Sequence, residues 1–286
     1  MDKVGIVVLN YLNYKDTIEC VKSLSDLNYD NYKIVVVDNG SDNESYKVLN
    51  NEFNKSSNIH LLNTGENLGY AKGNNYGIDF CRHELNTDHV MIINNDTVAK
   101  DKELLNVLVN NKDKGIVLGP KIINLDGQNQ NPLLAFPQKT IIIRIIRLIS
   151  ERLLSFFVNI KHSLFGQPQK NNSKNKDDLK HFDKKKLFLH GSCLFFANEY
   201  FRYYNGFFSK TFLYFEEDIL FLLVKKINKN LAYISDTSIL HKEDKSSELA
   251  FGNKETVKNK HSDQSFKWYL LLYFLPYSLI KKFFKI

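Results

Sequence analysis

The chain has 286 residues, 43% of them hydrophobic, enough for one large α/β domain or two small ones with a real core, which excludes a disordered protein. A formal net charge of +7 and a pI near 9.0 ask for an acidic partner: nucleic acid, a phosphorylated substrate or an anionic membrane surface. Cys20, Cys81 and Cys193 stand far apart with no C-x-x-C spacing, which argues against a zinc site or a disulfide framework and fits reduced cytosol. No apolar run reaches the roughly eighteen residues of a spanning helix, so any membrane contact is expected to be peripheral.

Val4 to Leu9 is a β-branched run ending in Asn10-Tyr11, the first buried strand. A helix follows from about Tyr14 to Leu24, its core face supplied by Ile18, Val21 and Leu24 at helical spacing. Tyr32 to Val37 is a second strand, ending in Asp38-Asn39-Gly40-Ser41-Asp42. Asp38 there either accepts hydrogen bonds from a nucleotide or caps the turn into the segment starting near Asn43.

Ile59 to Leu62 reads as a third strand, followed by Asn63 to Gly77, with glycines at 65, 69, 73 and 77 among asparagines. Such glycines let backbone approach a ligand, and the following helix start offers N–H groups to a diphosphate. Close helix packing is the alternative, and with no Gly-Lys-Ser/Thr the segment is not a Walker loop. His89 to Ile93 is an unbroken apolar run that stops at Asn94-Asn95-Asp96-Thr97. A strand buried on both faces has that composition, and Asp96 at its end is either a turn residue or an oxygen ligand for a hard cation. The first hundred residues therefore read β-α-β-α-β-α-β with a polar edge, a doubly wound sheet with a nucleotide-type site.

Ile116 to Ile123 looks like a strand interrupted at Gly119-Pro120, closed by the turn Asp126-Gly127. Within an insertion at about 133–186, Thr140 to Lys161 carries a wide apolar face cut by a polar stripe at helical period, and Gln167 to Lys186 is a polar, lysine-rich loop. Gly191-Ser192-Cys193 to Ala197 is a strand entered through a glycine, and Tyr200 to Tyr204 a short helix. Phe212 to Leu220 then sets Glu216, Glu217 and Asp218 among aromatics. Adjacent half-buried carboxylates have raised pKa values, which suits one of them to take a proton; the alternative is charge complementing the dipole of a helix over Ile219 to Lys229. Leu231 to Ile234 and Ser238 to His241 close a domain spanning 1–250. The tail, 251–286, mixes Trp268, tyrosines, leucines and lysines around Pro276. It has the composition of a peripheral membrane anchor, or of an amphipathic helix docking on the domain or on a second copy in a homodimer.

The order of these motifs resembles the family 2 glycosyltransferases of the GT-A fold, especially a bacterial branch of rhamnosyltransferase-like enzymes building surface polysaccharides. The resemblance runs from Val4 to His241 and rests on Val7 to Tyr11, Val35 to Ser41, Asn67 to Asn75, Ile93 to Asp96, Gly191-Ser192 and Phe215 to Asp218. It implies an α/β, GT-A (Rossmann-like) doubly wound mixed sheet with a C-terminal amphipathic helical tail. It further implies a donor site of Asn10, Tyr11, Asp38, Asn39, Asn67, Gly69, Gly73, Asn74 and Asn95, and Mg²⁺ or Mn²⁺ at Asp96. His241, which ends a short apolar run, is read from the residues as a structural histidine or else as a phosphate or metal ligand. Gly191 and Ser192 would lie on the acceptor side, and Asp218 or Glu217 would be the base of an inverting transfer. Asn94 stands where the family often has a first acid, leaving one protein carboxylate at the metal. The residues after Asp218 lack the acid and arginine often found there.

The expected partners are a nucleotide-sugar donor and a saccharide acceptor, the tail suggesting a polyprenyl-diphosphate-linked one at the inner face of the cell membrane. Nucleic acid is ranked low, because the basic residues concentrate in one loop and the tail. A non-catalytic nucleotide-sugar-binding scaffold of a membrane assembly is the rival from another class; a nucleotidyltransferase is disfavoured because no basic phosphate-reading loop follows the first strand.

Overall fold

In the computed structural model, residues 1–134, 187–243 and 255–284 are described. Met1–Leu133 and Phe188–Ile286 form one unit and Leu134–Leu187 a second. The helix expected over Thr140 to Lys161, the polar loop Gln167 to Lys186 and the boundary near residue 250 lie outside the described residues.

The apolar runs form the strands their composition predicts. β1 (Val4–Asn10), β2 (Tyr32–Asp38), β3 (Ile59–Asn63) and β4 (His89–Asn94) are all parallel, in the spatial order β3-β2-β1-β4. Helices α1 (Tyr14–Ser25), α2 (Ser45–Phe53) and α3 (Gly69–Asp79) make the crossovers. Because β1 is hydrogen-bonded to β2 on one side and β4 on the other, the order in which strands are added reverses across it, and that is where an open α/β sheet leaves a crevice. One sheet face packs Ile6, Val8, Val36, Met91 and Ile93 against Val21 and Leu24 of α1 and Leu49 of α2. The opposite face receives α3, where the ideal Cβ position of Gly77 lies 2.4 Å from Val7 Cγ1 and that of Gly73 lies 2.7 Å from Leu9 Cδ1. Helix packing, the alternative given above for these two glycines, is what they do.

β5 (Thr97–Val98) follows β4, and α4 (Leu104–Asn110) leads to β6 (Val117–Asn124). β6 runs straight through Gly119-Pro120 rather than being interrupted there. Its pairing to β9 (Cys193–Phe196) ends at Leu118, and its partner β10 (Leu231–His241) breaks register between Ile234 and Ser238. A proline without an N–H is tolerated where the ladder is already open. The same bulge makes one strand of the two short runs read from the sequence. β7 (Leu133–Leu134) and β8 (Leu187–Phe188) pair as a separate sheet. β9 is antiparallel to both β4 and β6, so the sheet is mixed, as expected, with the order β3-β2-β1-β4-β9-β6-β10-β5. Tyr200 to Tyr204 is not a full helix; Asn198–Arg202 makes only 3₁₀ turns.

α5 (Glu216–Lys226) begins at Glu216, directly after a left-handed bend at Tyr214 and Phe215, so all three acids sit in its first turn. α6 (Glu255–Phe274) and α7 (Tyr277–Phe284) form the tail, separated at Leu275-Pro276. Phe266, Leu272 and Ile280 are buried against the domain, while Leu271, Phe274 and Leu279 are exposed. Among the described residues no helix is long and apolar enough to cross a membrane.

Candidate active site

The parallel strands end together, and their polar residues lock to one another. Asn10 Nδ2 donates to Asp38 Oδ2 at 2.7 Å, Thr17 Oγ1 donates to Asn10 Oδ1 at 2.7 Å, and Asn95 Nδ2 donates to Thr17 Oγ1 at 3.1 Å. Asp38 Oδ1 accepts the Ser41 amide at 3.0 Å, so Asp38, fully buried, performs the turn-capping role and staples two strand ends. Asn39 Oδ1 accepts from the Leu68 amide at 3.1 Å and Asn67 Oδ1 from the Gly69 amide at 2.9 Å. The Tyr70 amide donates to Phe212 O at 2.8 Å. The Leu68, Gly69 and Tyr70 N–H groups at the start of α3 are thus taken by protein acceptors. Gly69 has φ +80° and its Cβ position lies 2.3 Å from Phe212 O, so it serves a close approach of backbone to backbone. Asn74 is buried inside α3 with Nδ2 on Tyr70 O at 3.0 Å. Of the expected donor set, Tyr11 and Asn67 remain partly exposed.

At the end of β4, Asp96 is 6% exposed and Oδ1 has no hydrogen-bond partner among the described residues. Antiparallel pairing of His241 with Thr97 brings the end of β10 alongside, placing His241 Nε2 3.4 Å from Asp96 Oδ2. His241 Nδ1 is 2.8 Å from Gln130 Oε1, and the Gln130 amide nitrogen donates to Glu243. A carboxylate accepts only, so Gln130 must present oxygen to the imidazole. In the neutral ring Nδ1 then carries the proton and Nε2 faces Asp96 with a lone pair. Two facing acceptors plus one orphaned buried oxygen fit a divalent cation, and an oxygen with an imidazole nitrogen suits Mn²⁺ and accommodates Mg²⁺. Among the described residues no group of three or more His, Cys, Asp or Glu gathers there, so the remaining ligands would come from a diphosphate and water.

Gly191-Ser192, which leads into β9, lies against the end of β4: the Asn94 amide donates to Ser192 O at 2.9 Å. Tyr70 Oη donates to Gly191 O at 2.9 Å. Burial, and then the charges of Glu217 and Glu216, push this phenol well above its ordinary pKa, so it stays a donor. A Cβ at Gly191 would lie 2.2 Å from Glu217 Oε1, so any other residue there would push the Glu217 carboxylate aside. Burial raises the Glu217 pKa, opposed by hydrogen bonds from its own amide and that of Gly191. Glu216, 5% exposed, is pushed up to about 8 by burial and then by the Glu217 charge, and its Oε1 has no partner among the described residues. Asp218 is partly exposed on the third side of the turn. The three acids, 100° apart on one helical turn, therefore occupy three environments.

Tyr70, Gln130 and His190 belong to this site and were not singled out from the sequence. His190 Nδ1 accepts from the Ser192 amide at 3.2 Å, and its ring lies 5.4 Å from that of His241, edge to face. Burial, with His241 second, lowers its pKa to about 4, which keeps it neutral. A glutamine in a polar turn carries no local signal of such a role. The alternation of glycines with Tyr70 did mark the segment, though for a different reason.

A parallel sheet extended by antiparallel β9, a carboxylate–imidazole pair at its strand ends and a carboxylate turn across Gly191 define a GT-A fold domain. The chain belongs to glycosyl transferase family 2, whose description matches residues 4–203. Over 244 residues it is 24% identical to the low-salt glycan biosynthesis hexosyltransferase Agl10 of Haloferax volcanii, covering 84% of this chain and 67% of that protein. The mannosyltransferase PcManGT from Pyrobaculum calidifontis, solved with GDP-Man and Mn²⁺, superposes with a TM-score of 0.58 at 13% identity, covering 94% of this chain and 64% of that one. S. aureus TarS 1–349 in complex with UDP gives 0.53 at 15% identity, covering 84% and 60%. This chain thus spans less than two thirds of both solved chains, and at these identities the likeness is one of fold.

Proposed function

We propose that this protein is an inverting glycosyltransferase that moves a hexosyl or deoxyhexosyl group from a nucleotide-sugar donor to a hydroxyl of a saccharide acceptor. The observation that carries the proposal is the Asp96–His241 pair, with its orphaned carboxylate oxygen, on the same sheet edge as the turn Glu216-Glu217-Asp218. Asp96 and His241 would hold Mg²⁺ or Mn²⁺, which supplies positive charge against the leaving diphosphate. The chain's own residues do the rest. Asn10, Asp38, Asn39, Asn67 and Asn95 fix the strand-end loops that face the nucleotide, and half-exposed Tyr11 meets it. Gly191 and Ser192 border the acceptor. Asp218 takes the proton of the acceptor hydroxyl while that oxygen bonds to the anomeric carbon and the carbon–phosphate oxygen bond breaks on the opposite face. Glu217, engaged by the Gly191 amide, holds the turn against the sheet.

The relatives support this reading: one is described as a glycan biosynthesis hexosyltransferase, and the two solved structures hold GDP-Man with Mn²⁺ and UDP. The exposed Leu271, Phe274 and Leu279, with Lys281 and Lys282 beside them, support a tail that rests on an anionic membrane surface. With a tail so placed, the acceptor we propose is polyprenyl-diphosphate-linked, at the inner face of the membrane, in cell-surface polysaccharide synthesis. The test is nucleotide release from UDP-, dTDP- and GDP-sugars with Mg²⁺, Mn²⁺ or EDTA, in wild type and Asp96→Ala. Metal-dependent release of one nucleotide, abolished by the substitution, is expected. Binding of a donor without release would favour the non-catalytic nucleotide-sugar-binding scaffold instead.

A further inference from the structure

The segment Phe212 to Phe215, which delivers the three carboxylates, is held in an expensive conformation. Tyr214 has φ +74° and Phe215 φ +69°, both left-handed and neither glycine. This backbone region is unfavourable for an L residue with a bulky side chain, and two in succession persist only where the surroundings enforce them. On one side the enforcement comes from α3, where Phe212 O accepts the Tyr70 amide at 2.8 Å. On the other it comes from the tail. Ser265 Oγ, buried, donates to Leu213 O at 3.0 Å. The rings of Phe266 and Tyr269 lie 5.5 Å and 6.0 Å from that of Phe215, and His261 stacks on Phe212 at 4.7 Å. Burial, then the Asp218 charge, raises the Tyr269 hydroxyl to about 12, which puts this tail residue within electrostatic reach of the proposed base.

We propose that α6 is part of the catalytic apparatus: Ser265 and Phe266 are positioning residues that hold Leu213 to Phe215 in its left-handed bend and so aim Glu217 and Asp218. The inner face of the tail then serves chemistry, whichever surface its outer face meets. This rests on the carboxylate assignment made under the proposed function, and its test includes a readout that needs no activity.

That readout is hydrogen exchange over residues 212–217 in the full chain, with the emission of Trp268, the sole tryptophan, reporting whether α6 stays seated beside Phe208, 5.7 Å away. Phe266→Ala, and the milder Ser265→Ala, should speed exchange in this segment about tenfold or more. In Phe266→Ala metal-dependent nucleotide release should fall about tenfold while donor affinity stays within about twofold. Adding Tyr214→Gly, which adopts positive φ without strain, should restore part of the lost protection, a rescue that loss of general stability would not show. Unchanged exchange in a variant whose Trp268 emission reports a displaced helix would overturn the proposal. Absence of turnover in the wild type would count against the functional reading alone, with exchange still deciding the role of α6.

Discussion

His241 Nε2 lies 3.4 Å from Asp96 Oδ2, and in the neutral ring it faces the carboxylate with a lone pair. Behind the imidazole, Glu243 orients the Gln130 amide, and Gln130 Oε1 holds a proton on Nδ1. Such outer partners usually matter about 10–100-fold in metal affinity. Gln130→Leu should therefore weaken Mn²⁺ binding by that order, read by electron paramagnetic resonance on the ligand-free protein, and should shift His241 toward the other tautomer in its ¹⁵N spectrum. An unchanged Mn²⁺ affinity would dismiss the relay.

Asp218 and Glu217 should separate by substitution. Asp218→Asn is expected to lower nucleotide release about 10²–10⁴-fold with donor affinity preserved, the usual size of a general-base contribution. Glu217→Gln keeps its hydrogen-bonding shape against Gly191 and should lose about tenfold at most. The reverse ranking in single-turnover assays would hand the base role to Glu217.

Glu216 makes a pH prediction. Its folded pKa of about 8 exceeds the ordinary 4.5, so the folded state binds the proton more tightly than the unfolded one. Its contribution is fully present below the unfolded pKa and is lost as pH rises from about 4.5 through about 8. Glu216→Gln, neutral at every pH, should flatten this part of the profile and melt above wild type at pH 9. Parallel Tm curves for the two proteins from pH 5 to 9 would contradict the burial argument.

Gly77→Ala should destabilise the domain by about 1–3 kcal/mol, since its Cβ would meet the stiff Val7 side chain at 2.4 Å in a packed layer. Urea unfolding measures it. A change smaller than about 0.5 kcal/mol would mean that α3 can slide away from β1.

For the outer face of the tail, Phe274→Asp, at a residue 75% exposed, should leave the fold intact and weaken sedimentation with phosphatidylglycerol vesicles several-fold. Equal binding by both proteins, or by neither, would remove the membrane from the account.

What the amino-acid order determined by itself was the layer plan and the chemistry along one edge. Strands buried on both faces must be continuous apolar runs, and their abrupt polar ends at Asn10, Asp38 and Asp96 are visible without coordinates. Glu216 to Asp218 were conspicuous because acids among aromatics are rare, yet only the structure separates them, since the helix begins at Glu216 and turns each toward a different environment. The glycines at 69, 73 and 77 were legible as close approaches but not as to what approaches. Tertiary structure supplied Leu9, Val7 and Phe212 where a ligand was equally compatible. It also decided the pairing of β5 with β10, which sets His241 beside Asp96, the role of Gln130, and the seating of α6 behind the carboxylate turn. Those facts depend on which distant segments share a hydrogen-bond ladder or a packed face, and local periodicity carries no information about that choice.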